Sequence, residues 1–430
     1  MKRSKNMART PPDSDDDVDL RISPALLRGL TQPRLSQQLA LSRRGFLTAA
    51  GATLGLAVLG FPDMAQAAWV KRSPAQWADW WKAQKPTKDL VFANWPLYID
   101  VTKAGKHPTL EMFSKQTGIA VKYLEPIQSN PEFFAKIEPL LKSGEATGYD
   151  IAVMTNDSFQ FTELLQQGWA IPLWKERLPN VWKYADPSIL NPVYDPHNTY
   201  TTVWQSGFTG IGYNPKLTKR EITSVADLWD PAFKGHVGMF KNPTQYGDFG
   251  LLKLGIDPAT ATVEDWKKAA KELMAQRKEG LVRQYYDQSY IKALESGDAW
   301  ISMAWSGDIY QANTQGYKDL KFIIPKEGAM YWHDNMFIPQ GAKNPLSALE
   351  WMNFYYTPKI AGLVEDYVNY ICPVPAAQAY IRDVIKDPAV ADSSLVFPDK
   401  AMMAKARNYY VFKDYAEFQE YLRIFNPVVE

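Results

Sequence analysis

Residues 329–339 read "AMYWHDNMFIP", an apolar run that carries an indole and a carboxylate two positions apart. Prolines at positions 325 and 339 stand on either side of the run. In a β-strand, residues i and i+2 point to the same side. Trp332 and Asp334 would therefore share one surface of a sheet. The stretch predicts a strand with one face that presents a flat ring beside a negative charge.

Strands and helices alternate along the chain before this stretch. A strand pattern begins at residue 88, and "IAVKYLE" (119–125) and "YDIAVMT" (149–155) continue the series. Between them lie amphipathic segments that end at Gly118 and Gly144, as helices often do. Such alternation is typical of βαβ units with a parallel sheet. The pattern predicts an α/β protein.

A second alternating series follows the Pro- and Asn-rich stretch 186–198. "TGIGYNP" (209–215) and "HVGMF" (236–240) have strand patterns, and residues 263–280 form a clear amphipathic helix pattern with Gly280 at its end. Two α/β lobes with several crossings between them fit this order better than one long sheet does. We therefore predict a ligand cleft between two lobes.

The composition excludes several classes of partner. The chain has 430 residues, of which 46% are hydrophobic, and it contains 15 Trp, 23 Tyr and 19 Phe, more rings than a core of this size needs. Without residues 1–67, which hold nine of the 48 basic and six of the 47 acidic residues, the net charge is −2. A near-neutral protein lacks the basic surface that nucleic acids or anionic membranes attract. We expect no nucleic-acid partner.

The N-terminal region reads as an export signal. Ser42-Arg43-Arg44-Gly45-Phe46-Leu47 is a twin-arginine pattern, and a short run rich in Gly and Ala leads from it to Ala65-Gln66-Ala67. We predict that residues 1–67 are a twin-arginine signal region, that they are removed, and that the mature protein is soluble and periplasmic or otherwise extracytoplasmic. No later apolar stretch is long enough to span a membrane.

Metal and cofactor sites are not expected. The chain has one cysteine, Cys372, and four histidines with no pair at helical ligand spacing. It contains no CxxC, HExxH or GxGxxG motif. These absences predict a protein without an internal disulfide, a cofactor or a histidine-based metal site.

Polar and aromatic residues stand where the predicted strands end. Ligand sites of open α/β sheets lie outside the carboxyl ends of the strands, and clefts between domains are favoured pockets. This rule selects the following residues: Asn94, Trp95, Thr155, Asn156, Asp157, the segments 242–245 and 305–308, Trp332 and Asp334.

The chain resembles the periplasmic spermidine/putrescine-binding proteins of ABC transporters. The resemblance covers roughly residues 88–425 and is carried by eight blocks in sequence order: "FANWPLYID", "TGIAVKYLE", "GYDIAVMT", "GFTGIGYNP", "SVADLWDPAFKGHVGMF", "LESGDAWISMAWSGD", "IPKEGAMYWHDNMFIP" and "VNYICPVP".

The resemblance implies a type II periplasmic-binding fold and a function in which the ligand is bound without any chemical reaction. Lobe 1 would comprise residues 88–203 plus 333–372, and lobe 2 residues 207–330 plus 376–430. The protein would not be an enzyme; it would close over a small cationic solute and pass it to the permease subunits of an ABC importer. Export would use the twin-arginine machinery.

The same resemblance implies a binding site made of rings and carboxylates. In that family, aromatic rings sandwich the methylene chain of a polyamine while carboxylates hold its ammonium groups. Ring faces attract cations by roughly 0.5–2 kcal/mol each. The ring positions are Trp95, Tyr98, Trp305, Trp332 and Tyr370, a small hydroxyl residue is Thr155, and the main amine-binding carboxylate is Asp334.

The site departs from the family where two further acids are expected. Asn242 and Gln245 stand in their place. Losing one carboxylate contact to an ammonium costs about 1.5–3 kcal/mol. Asp157, where the family often has Tyr, and Asp308 are the acids that would compensate. Otherwise the ligand carries one cation and an uncharged or anionic far end.

Two rival functions remain open at this point. A ferric-ion-binding protein of the same architecture would use adjacent tyrosine phenolates, for which Tyr409-Tyr410 is the candidate pair. A secreted hydrolase would use two carboxylates about 5–9.5 Å apart. The named strand ends offer few acids and two amides, which favours a binding protein over the hydrolase.

Overall fold

A computed structural model of the protein describes residues 72–314, 316–317 and 319–430. Within this part, ten strands form one sheet in the order β2-β1-β3-β9-β4-β7-β5-β6, while β10 pairs with β9 and β8 with β4. The strands are β1 Asp89–Ala93, β2 Ala120–Leu124, β3 Ile151–Thr155, β4 Thr201–Tyr213, β5 Val237–Phe240, β6 Val282–Tyr286, β7 Ile301–Trp305, β8 Lys321–Ile323, β9 Ala329–Phe337 and β10 Ala406–Arg407.

Helices cover both faces of this sheet, and many of them begin at a proline, a residue whose fixed φ suits the first helical turn. In chain order they are α1 Pro74–Ala83, α2 Pro108–Thr117, α3 Asn130–Ser143, α4 Phe159–Gln166, α5 Pro179–Tyr184, α6 Pro215–Thr218, α7 Pro243–Lys253, α8 Val263–Lys278, α9 Tyr290–Ser296, α10 Ser306–Thr314, α11 Pro345–Tyr355, α12 Pro358–Val368, α13 Ala377–Tyr380, α14 Pro388–Ala391, α15 Lys400–Met403 and α16 Tyr415–Phe425.

The two lobes repeat one arrangement of strands. In lobe 1, β2, β1 and β3 are parallel neighbours and β9 closes the group in the antiparallel sense. In lobe 2, β6, β5 and β7 are parallel neighbours and β4 closes that group in the same way. Each lobe is therefore completed by a strand that also runs through the other lobe.

The helix ends in lobe 1 lie where the sequence predicts them. Gly118 and Gly144 follow α2 and α3 with φ angles of 74° and 77°, in the left-handed region. A side chain with a Cβ would be strained there, so glycine ends both helices at low cost. The chain turns at Gly118 into β2 and at Gly144 towards β3. These turns help to fix where the carboxyl end of β3 lies.

Long antiparallel strands β4 and β9 join the lobes. Every residue of both strands is buried. Their register pairs Gln205 with Asp334 and Gly207 with Trp332, after an irregularity between Val203 and Gln205. The prediction of a parallel sheet is thus only partly right, because the sheet is mixed: parallel within each lobe and antiparallel at the crossing.

A third connection lies beside the two crossing strands. The amide of Ser206 donates to the carbonyl of Ile371 (3.1 Å), and the amide of Ile371 donates to the carbonyl of Ser206 (2.8 Å). The lobe boundaries derived from sequence stay a prediction.

Each lobe has its own apolar core. Trp204, Trp351 and Phe92 pack in one cluster, and Trp266, Tyr421 and Phe425 pack in another. Burying one such side chain stabilises a fold by roughly 1.5–3 kcal/mol, so each lobe has enough core to hold its strand ends in place. None of the described helices is long and apolar enough to cross a membrane. The predicted twin-arginine signal lies outside the described residues.

Candidate functional site

The carboxyl ends of β3 and β7 face each other along the crossing strands. Thr155, the last residue of β3, pairs with Asp334, and Trp305, the last residue of β7, pairs with Thr209. On β4, Gln205 lies opposite Asp334, and Thr209 lies four residues further along, or roughly 13 Å at the usual rise per residue. The crossing strands therefore form the floor of a cleft between the two sets of strand ends.

Asp334 is the central carboxylate of this floor. It is 5% exposed, and it accepts hydrogen bonds from the hydroxyls of Tyr98 and Thr155, both at 2.5 Å. Burial raises the pKa of Asp334 to about 7, and the charge of Asp157 adds to that rise, while the two hydroxyl bonds oppose it. A carboxylate can accept about four hydrogen bonds. Two acceptor positions on Asp334 are left for a guest.

A glycine allows the Trp332 ring to lie across β4. A Cβ on Gly207 would come within 2.3 Å of the indole, so only glycine leaves room for the ring. Trp332 is 6% exposed and its Nε1 donor has no partner among the described residues. The indole and Asp334 share one face of β9, as the spacing of two predicts.

A second glycine supports Tyr370 in the same manner. A Cβ on Gly307, in the first turn of α10, would lie 2.7 Å from the Tyr370 ring. That ring meets Trp332 and Tyr98 edge to face, with centroids 5.3 and 5.7 Å apart. Tyr98, Trp332 and Tyr370 therefore form a continuous aromatic group around Asp334.

Asp308 holds this group together. Its two oxygens accept from the hydroxyls of Tyr370 (2.7 Å) and Tyr290 (2.9 Å). These bonds give Asp308 a positioning role, because they fix the hydroxyl of Tyr370, a member of the aromatic group, and that of Tyr290. Trp305 packs on Phe240 and Tyr290 at ring distances of 4.6 and 5.8 Å and is half-buried beside them.

Trp95 lies at the other side of the cleft, directly after β1. Its backbone amide donates to the side-chain oxygen of Asn94 (2.9 Å), which fixes the turn after the strand. The ring is half-buried and packs at the margin of the lobe 1 cores. Its Nε1 donor is buried without a partner among the described residues. The chain thus leaves an indole donor available at this strand end.

Asp157 connects the two lobes. One oxygen accepts from Asn130 of lobe 1 and the other from Gln245 of lobe 2, both at 2.9 Å. The Thr244 hydroxyl also donates to the Asp157 carbonyl (3.0 Å). Burial raises the pKa of Asp157. Asn242 is the N-cap of α7 and accepts from the amide of Thr244 (3.0 Å), so its side chain stabilises the helix start.

The family model described as "Bacterial extracellular solute-binding protein" matches residues 149–405, more than half of the chain. The chain belongs to this family. Its members are solute-binding proteins and not enzymes, so the prediction that the protein is not an enzyme is confirmed. It is a periplasmic or extracellular solute-binding protein of an ABC transporter.

Individual relatives agree with this family. The spermidine/putrescine-binding periplasmic protein of Salmonella typhimurium is 29% identical over 317 residues, 74% of this chain and 85% of the relative. The putrescine-binding periplasmic protein SpuD of Pseudomonas aeruginosa is 32% identical over 346 residues, 76% of this chain and 87% of the relative. The resemblance predicted from the sequence blocks is confirmed.

A solved structure confirms the fold. The PotD substrate-binding protein of Streptococcus pneumoniae superimposes with a TM-score of 0.68 at 24% identity, over 80% of this chain and 98% of that one. The predicted two-lobe fold with a cleft between the lobes is therefore correct.

One further residue of this solute-binding protein, Asp248, was not selected from sequence, and Tyr409 was selected only for the ferric-ion hypothesis. Asp248 of α7 is 4% exposed and Tyr409 is 5% exposed. The charges of Asp157 and Asp248 both raise the pKa of the Tyr409 phenol, after burial itself, so the three groups are near one another. A helical spacing of three from Gln245 was the available signal for Asp248.

The tyrosine pair of the ferric-ion hypothesis is split by the structure. Tyr410 donates to Glu417 (2.9 Å), and its ring meets Trp266 at 5.1 Å. The Tyr409 hydroxyl is instead buried near the acids of the cleft. Within the described part of the chain, no group of three His, Cys, Asp or Glu side chains could hold a metal ion. Although Tyr409 and Tyr410 are adjacent in sequence, their phenol groups do not lie at a common metal site.

Proposed function

We propose that the protein captures a small cationic amine, similar to a polyamine, by closing its lobes, and that it delivers this solute to the permease of an ABC importer. The proposal includes export of the mature chain by the twin-arginine pathway. The binding residues would be Trp95, Tyr98, Thr155, Asp157, Asn242, Gln245, Trp305, Trp332, Asp334 and Tyr370.

One observation carries the choice of ligand class. Asp334 is buried at the cleft floor with two hydroxyl donors and an indole on the same strand face. The tyrosine and tryptophan side chains beside Asp334 carry no positive charge. They leave acceptor positions on the carboxylate, and their ring faces can contact a ligand. An ammonium group supplies both a charge-assisted hydrogen bond and a partner for the rings. The names of the relatives, which bind spermidine and putrescine, support the same class.

Contacts between the lobes support the proposed closure. The bonds of Asp157 with Gln245 and Thr244 join the end of β3 to the start of α7. A solute held between Asp334 and the second lobe favours the closed form by its difference in affinity for the two forms. Release to the permease then requires only that the lobes separate, because no covalent step occurs.

The decisive experiment is calorimetric titration of the mature protein with putrescine, spermidine, choline, glycine betaine and neutral amino acids. We expect a protonated amine to bind and Asp334→Asn to weaken it by about tenfold to a hundredfold, the value of one charge-assisted hydrogen bond. Asp414→Asn is the matched control, because it removes one exposed charge while keeping a good N-cap for α16. Binding of amines with equal affinity by Asp334→Asn would refute the proposal.

A further inference from the structure

Four tryptophans lie side by side at the surface of the lobe 1 core. The indoles of Trp77, Trp80, Trp174 and Trp182 are half-buried and pack against the margin of that core. We call these four rings the tryptophan face. Trp81, their buried neighbour, donates from Nε1 to the carbonyl of Pro172 (2.9 Å). None of the four rings belongs to the eight sequence blocks that carry the family resemblance, so the resemblance assigns them no role.

Ring contacts and one hydrogen bond join α1 to residues 174–184. The ring centroids are 5.3 Å apart for Trp77 and Trp80, 4.9 Å for Trp80 and Trp81, and 6.1 Å for Trp81 and Trp174. Trp182 is connected through Lys175, whose carbonyl accepts a hydrogen bond from the indole Nε1 (2.8 Å). Two segments that are distant in sequence therefore form one aromatic surface.

Cationic side chains lie over three of these rings. The distances from the cationic centre to the ring centroid are 4.7 Å for Arg72 and Trp77, 5.0 Å for Arg177 and Trp174, and 5.7 Å for Lys175 and Trp182. Lys175 also donates to the backbone carbonyl of His197. Among the described residues, no acid forms an ion pair with Arg72, Lys175 or Arg177. A ring attracts a cation without cancelling its charge, so these charges can act on an anionic partner.

The charge of this region is opposite to that of the rest of the mature chain. Residues 72–88 and 174–184 contain seven basic and two acidic residues, a net of +5. Since the chain without residues 1–67 has a net charge of −2, its other residues together carry −7. The net charge, on which the exclusion of anionic membranes rests, averages over this asymmetry. The folded chain therefore has a local basic surface that its net charge conceals.

The tryptophan face lies at the end of lobe 1 that is opposite the cleft. α1 is followed after five residues by Asp89, at the amino end of β1. Ile171, which leads into the second segment, donates from its amide to the carbonyl of Ile338 (2.8 Å). The neighbouring residue Phe337 pairs with Ala152, the second residue of β3. Because the cleft lies at the carboxyl ends of these strands, a partner on the tryptophan face leaves the cleft uncovered.

Indoles surrounded by basic side chains match the headgroup layer of a membrane. Tryptophan concentrates at the level of the lipid headgroups, where its apolar body and its N–H donor are both accommodated. Segments that lie on a membrane combine tryptophan with Lys and Arg, and lipid phosphates supply the opposite charge. A second copy of the chain is a poorer partner, because two surfaces with a net charge of +5 repel each other.

We propose that the tryptophan face binds the surface of a bilayer that contains anionic phospholipids, and that it holds the mature protein at the membrane with the cleft free. Each Lys or Arg near an anionic surface contributes about fivefold to such binding. The rings add apolar contact at the headgroup level. This inference goes beyond the proposed function and is independent of which solute the cleft accepts.

Co-sedimentation of the mature protein with vesicles tests the proposal. One set of vesicles contains equal parts of phosphatidylglycerol and phosphatidylcholine, and the other contains phosphatidylcholine alone. We expect binding to the anionic vesicles to be at least tenfold tighter than to the neutral ones. That preference should decrease when the salt concentration rises from about 0.1 M to about 0.5 M, because salt screens exposed charges.

Two double variants and one control locate the contact. Trp77→Ala with Trp80→Ala should weaken binding to anionic vesicles at least tenfold. Arg177→Gln with Lys183→Gln, at two exposed positions, should weaken it by about twenty-five-fold, or fivefold for each charge. Trp229→Ala is the matched control: Trp229 is also half-buried with a cation over its ring, at 5.1 Å, but it packs on the lobe 2 core. It should bind vesicles as the parent does.

The proposal is overturned if the parent does not bind anionic vesicles, or if both double variants bind them as the parent does. Sedimentation velocity at rising protein concentration covers the second copy. A dimer that the double tryptophan variant loses, in a protein that ignores vesicles, would assign the face to self-association and refute membrane binding. If the double tryptophan variant does not fold, the exposed charge variant decides, and parental binding by that variant refutes the proposal.

Solute binding and vesicle binding should be separable. Asp334→Asn should bind anionic vesicles as the parent does, because the cleft and the tryptophan face lie at opposite ends of lobe 1. The double tryptophan variant should bind spermidine within about twofold of the parent. A parent that binds anionic vesicles through this face but binds no amine would refute the proposed function and support this inference, and the reverse result would refute this inference alone.

Discussion

Asp334 and Asp248 are both buried acids, yet their surroundings differ. Asp334 accepts two short hydrogen bonds from Tyr98 and Thr155, whereas Oδ2 of Asp248 has no partner in the described part of the chain. The first acid is held in place before any solute arrives. The second is left incomplete by its own chain. Hydrogen-bond partners, rather than burial alone, therefore distinguish an acid that its own chain holds in place from one that its chain leaves incomplete.

The same contrast extends to the neighbours of the two acids. Around Asp334, a second acid, Asp308, fixes the tyrosines of the aromatic group, and glycines 207 and 307 let the rings lie against the backbone. Around Asp248, Oε1 of Gln245 also has no partner in the described part of the chain, while the Tyr409 hydroxyl interacts with that of Thr209. A preorganised wall lowers the cost of binding, so the solute should gain most of its orientation from the Asp334 side.

The largest effect is expected from disturbing the preorganised wall. Gly207→Ala places a methyl group 2.3 Å from the Trp332 indole, which must then leave its position on β4. We expect amine affinity to fall at least tenfold, because ring contact and the alignment with Asp334 are lost together. Calorimetric titration with spermidine measures this change.

Gly105→Ala is the control for that substitution. Gly105 has a φ of 74° with open space around it, so alanine there strains the backbone without entering the cleft. It should lower the melting temperature and leave affinity unchanged. Unaltered binding in Gly207→Ala would show that Trp332 does not contact the solute.

A second effect, of about tenfold, is expected from pH. The pKa of Asp334 is raised to about 7 by burial, so the carboxyl is about nine-tenths ionised at pH 8 and about one-tenth ionised at pH 6. Amines, with pKa values near 10.4, stay protonated over this range. Spermidine affinity should therefore fall by about tenfold from pH 8 to pH 6. Asp334→Asn should lose this part of the pH dependence, and a parent with equal affinity at both values would contradict the assignment.

The smallest effect is expected from a contact between lobes that does not involve the solute. Phe159, at the start of α4, stacks on Phe418 of α16 with centroids 5.0 Å apart. Phe159→Leu keeps an apolar side chain but loses the ring pair, which contributes roughly 0.5–1.5 kcal/mol. Phe159 belongs to the predicted lobe 1 and Phe418 to the predicted lobe 2, so the pair would be lost when the lobes separate. We therefore expect solute affinity to fall by about twofold to tenfold.

Phe161→Leu is the matched control on the same helix. Phe161 is fully buried in the lobe 1 cluster with Phe133 and Leu164, so the substitution should lower the melting temperature and spare affinity. Equal affinity losses in both variants would mean that Phe159 acts through general stability rather than through closure.

Parts of the site were predictable from local rules. The period of a strand placed Trp332 and Asp334 on one face, and the last positions of β3 and β7 brought Thr155 and Trp305 to the crossing strands. The full length of β4 was not predicted, since all thirteen of its residues are buried and it has no polar alternation that marks a strand. Asp308 was considered a compensating acid, but the two tyrosines that occupy it are distant in sequence.

Three features could be read from the amino-acid sequence alone: the α/β alternation, the helix ends at Gly118 and Gly144, and the pairing of ring and carboxylate on β9. These features depend on neighbours within a few residues, where backbone geometry is decided locally. Other features became visible only in the folded chain: the sheet is mixed, both oxygens of Asp308 have partners whereas Oδ2 of Asp248 has none among the described residues, and Tyr409 and Tyr410 face different surroundings. Those outcomes depend on which distant side chains meet, because partners and burial come from packing between elements rather than from spacing along the chain.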